Sequence, residues 1–207
     1  VFLVSNHPGL TDALALIVSV ADDSLLLVAA DRAFFHAIPH VARSLVPVPE
    51  HEGGRLTAFR AIASRVAAGR PTASFPTGAI EPDPLLHRHA FRGVPHWSRQ
   101  LTALRRRVPH LAIVPVAIGG VLSPRALRHP LARLYRTQAE RERAAAMLQV
   151  VLPSLTPEQV RVAFGPPLEG TDPDDLRRAY DQLDAGLRAD DGWSILLDGR
   201  SHPAKSR

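Results

Sequence analysis

The chain has no cysteine and only one lysine, Lys205, among its 207 residues. Without cysteine there are no disulfides, no thiolate metal sites and no cysteine nucleophile, and the redox compartment stays undetermined. Long apolar runs are also missing. The longest, residues 13–21 and 111–122, fall far short of the ~20 residues that span a bilayer and read as core elements. No Gly-x-Ser-x-Gly elbow occurs, so no serine nucleophile of that kind is present. Aromatic residues do not interleave with the basic run Arg105, Arg106 and Arg107, and nucleic acid is not an expected partner. The sequence opens at Val1 with neither methionine nor a signal-peptide pattern, which leads us to expect a natural N-terminal segment upstream.

What is present is an ordinary globular composition, 45% hydrophobic, in a length that suits one domain with a proper core. The formal charge of +5 and a pI near 10.8 rest almost wholly on arginine. Such a balance favours anionic partners such as a membrane surface, a phosphorylated substrate or coenzyme A. Genomic base bias toward arginine, alanine and proline gives the same composition, so charge alone does not choose among them.

Apolar, β-branched residues 1–5 read as a buried strand, interrupted by Asn6-His7-Pro8-Gly9, after which 10–20 read as a mostly buried helix. Residues 24–30 form a second apolar run, 33–45 look helical with a break or kink at Pro39, and 46–49 are extended. Gly53 and Gly54 precede an amphipathic helix over 56–68, with Phe59, Ile62, Ala63 and Val66 on one face and Gly69 as its stop. Residues 72–75 read as a strand, 76–89 as a proline-rich loop, 97–108 as a helix and 112–118 as a strand. Arginine-rich helical pieces follow from 124 to 151. Residues 159–164 are expected to close the sheet, and Asp172 and Pro173 start a terminal helix over 173–188. Strands separated by helices indicate an α/β fold: a single domain over 1–190 with a mostly parallel central sheet flanked by helices, and a C-terminal tail over 191–207.

The informative segment is Asn6-His7-Pro8-Gly9-Leu10-Thr11-Asp12, between the first strand and the first helix. In α/β sheets ligands bind in the crevice beyond the carboxyl ends of the strands. A turn of backbone there returns the residue five positions on to the histidine ring. Asp12 can then accept a hydrogen bond from one imidazole nitrogen and leave the other free to take a proton. This is the base half of a serine-type triad. With no serine elbow, the nucleophile is expected to be a substrate hydroxyl. Amides near Gly9 and Leu10 are candidates for the oxyanion.

From this point the chain resembles the lysophosphatidate and glycerol-phosphate acyltransferase superfamily. Val4-Ser5-Asn6-His7 through Asp12 is similar to its first block, which carries the catalytic histidine and aspartate. Phe75-Pro76-Thr77-Gly78 resembles its Phe-Pro-Glu-Gly block, and Phe91-Arg92-Gly93 its basic Phe-Lys-x-Gly element. Ile113-Val114-Pro115-Val116 and Val162-Ala163-Phe164-Gly165-Pro166-Pro167 resemble its closing strands. The resemblance implies the glycerolipid acyltransferase fold, with His7 and Asp12 catalytic and Phe75, Pro76, Thr77, Gly78 and Arg92 binding substrate. It implies transfer of an acyl group from acyl-CoA or acyl-carrier protein, as co-substrate, to a hydroxyl of a lysophospholipid or glycerol-derived acceptor. No cofactor or metal is implied. The expected location is the cytoplasmic face of a membrane, peripheral or anchored by a segment outside this chain.

Three departures bear on the acceptor. Thr77 stands where the family has glutamate, Ile80 where many members have arginine, and residues 45–49 end in Val48-Pro49 where that block usually ends in arginine. Phosphate needs guanidinium or ammonium donors. Either Arg55, Arg70, Arg88 or Arg92 substitutes, with Arg92 favoured by its motif, or the acceptor is a non-phosphorylated lipid such as an acyl-amino-acid lipid or a glycolipid. A non-catalytic protein that binds acyl thioesters and a hydrolase are also compatible with these residues. Glu81 is a shifted candidate for the missing glutamate. His36 and His40 have a metal-ligand spacing, but Pro39 intervenes and no carboxylate completes a set. His87, Arg88 and His89 lie in the loop after the Phe-Pro block, either solvated or at the substrate mouth. Trp97 is expected in the core or facing a membrane.

Overall fold

Hydrophobic alternation in the first strand divides the molecule into two layers. In β1 (Phe2–Ser5), Phe2 and Val4 are buried on one face of a sheet and Leu3 on the other. A strand buried on both sides is the mark of a parallel sheet with helices over each face. The computed structural model describes residues 1–49, 52–157, 159–189, 193–196 and 201–202.

After β1 come α1 (Asp12–Val20), β2 (Leu26–Ala30), α2 (Ala33–His36), α3 (Pro39–Arg43), β3 (Leu45–Val48), α4 (Glu52–Ala67) and β4 (Thr72–Ser74). A 3-10 helix (Ala90–Trp97) leads into α5 (Ser98–Arg107) and β5 (Ile113–Gly119). Then follow α6 (Pro124–Arg128), α7 (Pro130–Arg133), α8 (Gln138–Val151), β6 (Gln159–Phe164) and α9 (Pro173–Ala189). Within the stretch expected as a tail, β7 (Trp193–Leu196) and β8 (Ser201–His202) are paired, and its other residues lie outside those described.

The sheet order is β3-β2-β4-β1-β5-β6-β7-β8. Strands β3, β2, β4, β1 and β5 are mutually parallel, with Phe2 in register with Thr72 on one side and Ile113 on the other. From β6 onward the pairing is antiparallel. The chain is thus a single α/β domain with a mostly parallel sheet in its body. Pro115 sits in a central strand without breaking its β6 pairing, because that ladder starts one residue later, at Val116 opposite Phe164.

One face is covered by α4, the 3-10 helix, α5 and α9, which bury Val66, Trp97, Leu101, Leu176 and Leu187 against Phe2, Val4 and Ile113. Over the other face, α1 buries Ala15 and Leu16 against Leu3, Val116 and Ile118. Full burial of a side chain such as Leu16 is worth about 2 kcal/mol. A smaller alanine-rich cluster joins α6, α7 and α8.

Several local readings change. The first helix begins at Asp12 instead of residue 10. The stretch 33–45 is two short helices, because Pro39 cannot continue the first and starts the second. Gly53 and Gly54 lie inside α4. The helix expected over 97–108 is entered through the 3-10 turn, and Trp97 is core, edge-on to Tyr180 at 5.3 Å. Strand β6 does not close the sheet, since β7 pairs with its far edge.

Candidate active site

Because β1, β4, β2 and β3 are parallel, the loops that follow them emerge at the same edge of the sheet. The loop after β1 carries His7, and the loop after β4 carries Phe75 to Glu81.

Asn6 sets where β1 ends. Its side-chain amide donates to Ile118 C=O and its amide oxygen accepts from Ile118 N–H, both at 2.8 Å and fully buried. The side chain continues the ladder to β5 while the backbone turns away, and the next residue is lifted to the rim. Beneath, the buried Tyr180 hydroxyl donates to Val4 C=O at 2.5 Å, which ties α9 to the same strand.

Asp12 is fully buried at the start of α1. Its Oδ2 lies 2.6 Å from His7 Nδ1 and 3.2 Å from Gly9 N, and its Oδ1 accepts from Ala13 N–H at 2.7 Å. Both of its oxygens already accept backbone N–H groups, from Gly9 and from Ala13, so Asp12 faces the ring as an acceptor. It therefore accepts from Nδ1–H of the imidazole, leaving Nε2 as the free nitrogen. The His7 side chain is 25% exposed against 0% for Asp12, so the ring reaches solvent and its partner does not. Gly9 is required here by close approach, since a Cβ on it would stand 2.6 Å from Val121 Cγ1. With its N–H donated to Asp12, Gly9 drops out of the oxyanion role expected of it, and Leu10 remains.

The Phe75-Pro76-Thr77-Gly78 segment is a tight turn closed by Gly78 N–H to Phe75 C=O at 3.0 Å, with Gly78 at φ +62°. The Phe75 ring packs on the His7 ring, with centroids 4.9 Å apart. Thr77 and Gly78 are exposed at the rim, and Thr77 Oγ1 donates to Ala79 C=O. Pro76 is half-buried beneath them. Arg92 is exposed on the 3-10 helix, next to Gly93, whose Cα hydrogen side faces Glu81 Oε1.

Two residues of this site are only faintly marked in the sequence. Glu81 accepts from His7 N–H through Oε2 at 3.0 Å, and its own N–H donates to His7 C=O at 2.7 Å. Asp83, also buried, accepts from Leu85 N–H and Gly120 N–H at 2.9 Å and from Leu122 N–H at 3.0 Å, which pins the turn after β5 to the loop after β4. The Asp83–Leu85 bond is an Asx-turn, and Asp-Pro is a local signal for it.

The electrostatics follow from burial and these partners. Burial of His7 opposes its protonation, but the Asp12 hydrogen bond and the charges of Asp12 and Glu81 outweigh it and raise its pKa. Burial pushes Glu81 up to about 7, against the pull of the His7 amide, Thr77 and the His7 charge. Burial likewise raises Asp83 in spite of its amide donors.

The other candidates are placed elsewhere. Arg70 lies at the opposite edge, before β4, donating to Ser24 C=O, so topology removes it from the rim that carries His7. Arg55 and Arg88 are exposed. His87 sits 2.8 Å from Glu142 and links its loop to α8. His36 pairs with Asp31 at 2.6 Å, and among the described residues no group of three or more such side chains could hold a metal ion. Among them too, no helix is long and apolar enough to cross a membrane. Comparison with protein-family models, with curated proteins and with solved structures found no match.

Proposed function

We propose that the chain is an O-acyltransferase that moves an acyl group from a thioester, acyl-CoA or acyl-carrier protein, to a hydroxyl of a lipid or glycerol-derived acceptor. The observation that carries this reading is the His7–Asp12 pair: a buried carboxylate on Nδ1 and a ring that reaches solvent at the carboxyl edge of the sheet. His7 Nε2 takes the proton of the acceptor hydroxyl as its oxygen attacks the thioester carbonyl. Collapse of the tetrahedral adduct breaks the C–S bond, and the imidazolium returns the proton to the leaving thiolate. Asp12 holds the tautomer and stabilises the imidazolium between the two steps. The Leu10 amide, in the turn between His7 and α1, is the candidate donor to the oxyanion.

For the acceptor, Ile80 and Pro49 supply no cation where the resembled family has arginine, while Arg92 stays exposed on the 3-10 helix as the candidate phosphate donor, so the acceptor panel decides between a lysophospholipid and a non-phosphorylated lipid alcohol. The test is thiol release from long-chain acyl-CoA with a panel of lysophospholipids and uncharged lipid alcohols. Release that requires an acceptor, falls by about 10²–10⁴ in His7→Ala and falls comparably in Asp12→Asn supports the proposal. Release indifferent to alcohol indicates a hydrolase. Acyl-CoA binding without turnover, in both free and carrier-protein donor assays, overturns catalysis.

A further inference from the structure

The dyad has a second carboxylate that composition and spacing do not assign. Glu81 is 74 residues from His7 in the chain, yet the two exchange backbone and side-chain hydrogen bonds in both directions. The histidine backbone is gripped at its N–H and its C=O, its ring is capped by Phe75, and Asp12 holds Nδ1. Nothing is left for the ring to do but present Nε2.

The chemistry of the grip is informative. Accepting one amide N–H needs only a neutral oxygen, and glutamine would provide it without the cost of burying a charge. The charged groups around Glu81 are few. His7 faces it from the β1 loop and Asp12 from the start of α1, while Tyr180 of α9 lies within its field. On the side of the 3-10 helix stands Gly93, with Arg92 beside it directed to solvent. Of these only His7 gains from a negative charge at this place when it becomes imidazolium.

We infer that Glu81 is a positioning residue for His7: it seats the histidine backbone, and its negative charge strengthens the imidazole as a base and steadies the imidazolium. The catalytic consequence rests on the acyl-transfer reading above, whereas the coupling between Glu81 and His7 does not. Two carboxylates then flank one base, Asp12 through Nδ1 and Glu81 from the backbone side. Above neutral pH, where Glu81 is ionised, each raises the proton affinity of Nε2 at the moment the acceptor hydroxyl is deprotonated.

The test uses Glu81→Gln, which keeps the acceptor oxygen and removes the charge, and Glu81→Ala, which removes both. NMR titration of ring-labelled histidine, with His7 assigned by its loss in His7→Gln, reads the coupling without any turnover. In Glu81→Gln the His7 titration moves to lower pH, and the acid limb of kcat/KM moves with it while KM is unchanged. In Glu81→Ala kcat falls roughly ten- to a hundredfold, and Glu81→Gln recovers most of that loss. If Glu81→Ala does not fold, the Glu81→Gln titration decides alone. A His7 titration identical in wild type and Glu81→Gln overturns the inference, as does wild-type kcat with an unmoved pH profile in Glu81→Ala. A protein inert in every acyl-transfer assay whose His7 titration still responds to Glu81 refutes the proposed reaction and leaves the inference standing.

Discussion

Stability should fall as pH rises through neutrality, and Glu81 should be a principal cause. Its folded pKa is raised from 4.5 to about 7 by burial, so between those values the folded state binds more protons than the unfolded state. The sign then follows from proton linkage: stability decreases with increasing pH across this window, and the loss is complete above pH 7. At about 1.4 kcal/mol per pH unit the rise corresponds to roughly 3 kcal/mol. Partial solvent access to the side chain brings the expectation to about 2 kcal/mol. His7 adds a contribution of the same sign. Its folded pKa is raised above 6.5, so its stabilisation is present in full below 6.5 and is lost as pH climbs through the folded value. Glu81→Gln cannot titrate, and it removes the first contribution while leaving most of the second. Urea unfolding of wild type and Glu81→Gln at pH 5 and pH 8 measures the difference directly. The variant should gain about 2 kcal/mol relative to wild type on going from pH 5 to pH 8. An equal pH slope in the two proteins would show that the carboxylate is not penalised by burial, and the reasoning would fail.

Two further substitutions test how the loop after β1 is held. Gly9→Ala places a Cβ 2.6 Å from Val121 Cγ1 and should cost about 1–3 kcal/mol by overpacking. Val121→Ala in the same chain should restore much of that stability, and a double variant no better than Gly9→Ala would mean that the contact is not the cause. Asn6→Ala removes both bonds to the Ile118 backbone and strands two buried peptide groups, a loss of about 2–4 kcal/mol. Hydrogen exchange at the Ile118 amide should rise by several orders of magnitude, and unchanged protection there would contradict the assignment.

Much of the architecture is legible from local order alone. The run from Val1 to Ser5 reads as a buried strand, which the structure shows over Phe2–Ser5, and the apolar stripe at Phe59, Ile62, Ala63 and Val66 turns α4 inward. The pairing of His7 with Asp12 is also legible, because five residues across a turn into a helix span a fixed short distance whatever the rest of the chain does. Boundaries that depend on proline are less so. Pro39 is visible as a break, but which side of it stays helical depends on packing, and both do.

What only the tertiary structure decided are the contacts set by strand order. Asn6 meets Ile118 across 112 residues, Tyr180 meets Val4 across 176, and Glu81 meets His7 across 74. No local spacing encodes these, since they exist only when β1 is flanked by β4 on one side and β5 on the other. The same ordering sends Arg70 to the far edge and leaves Arg92 on the near one. Thus the residue types and their short-range spacing determined the fold class and the pairing of His7 with Asp12. The surroundings of that pair come from three distant segments, which the sheet alone brings to one rim.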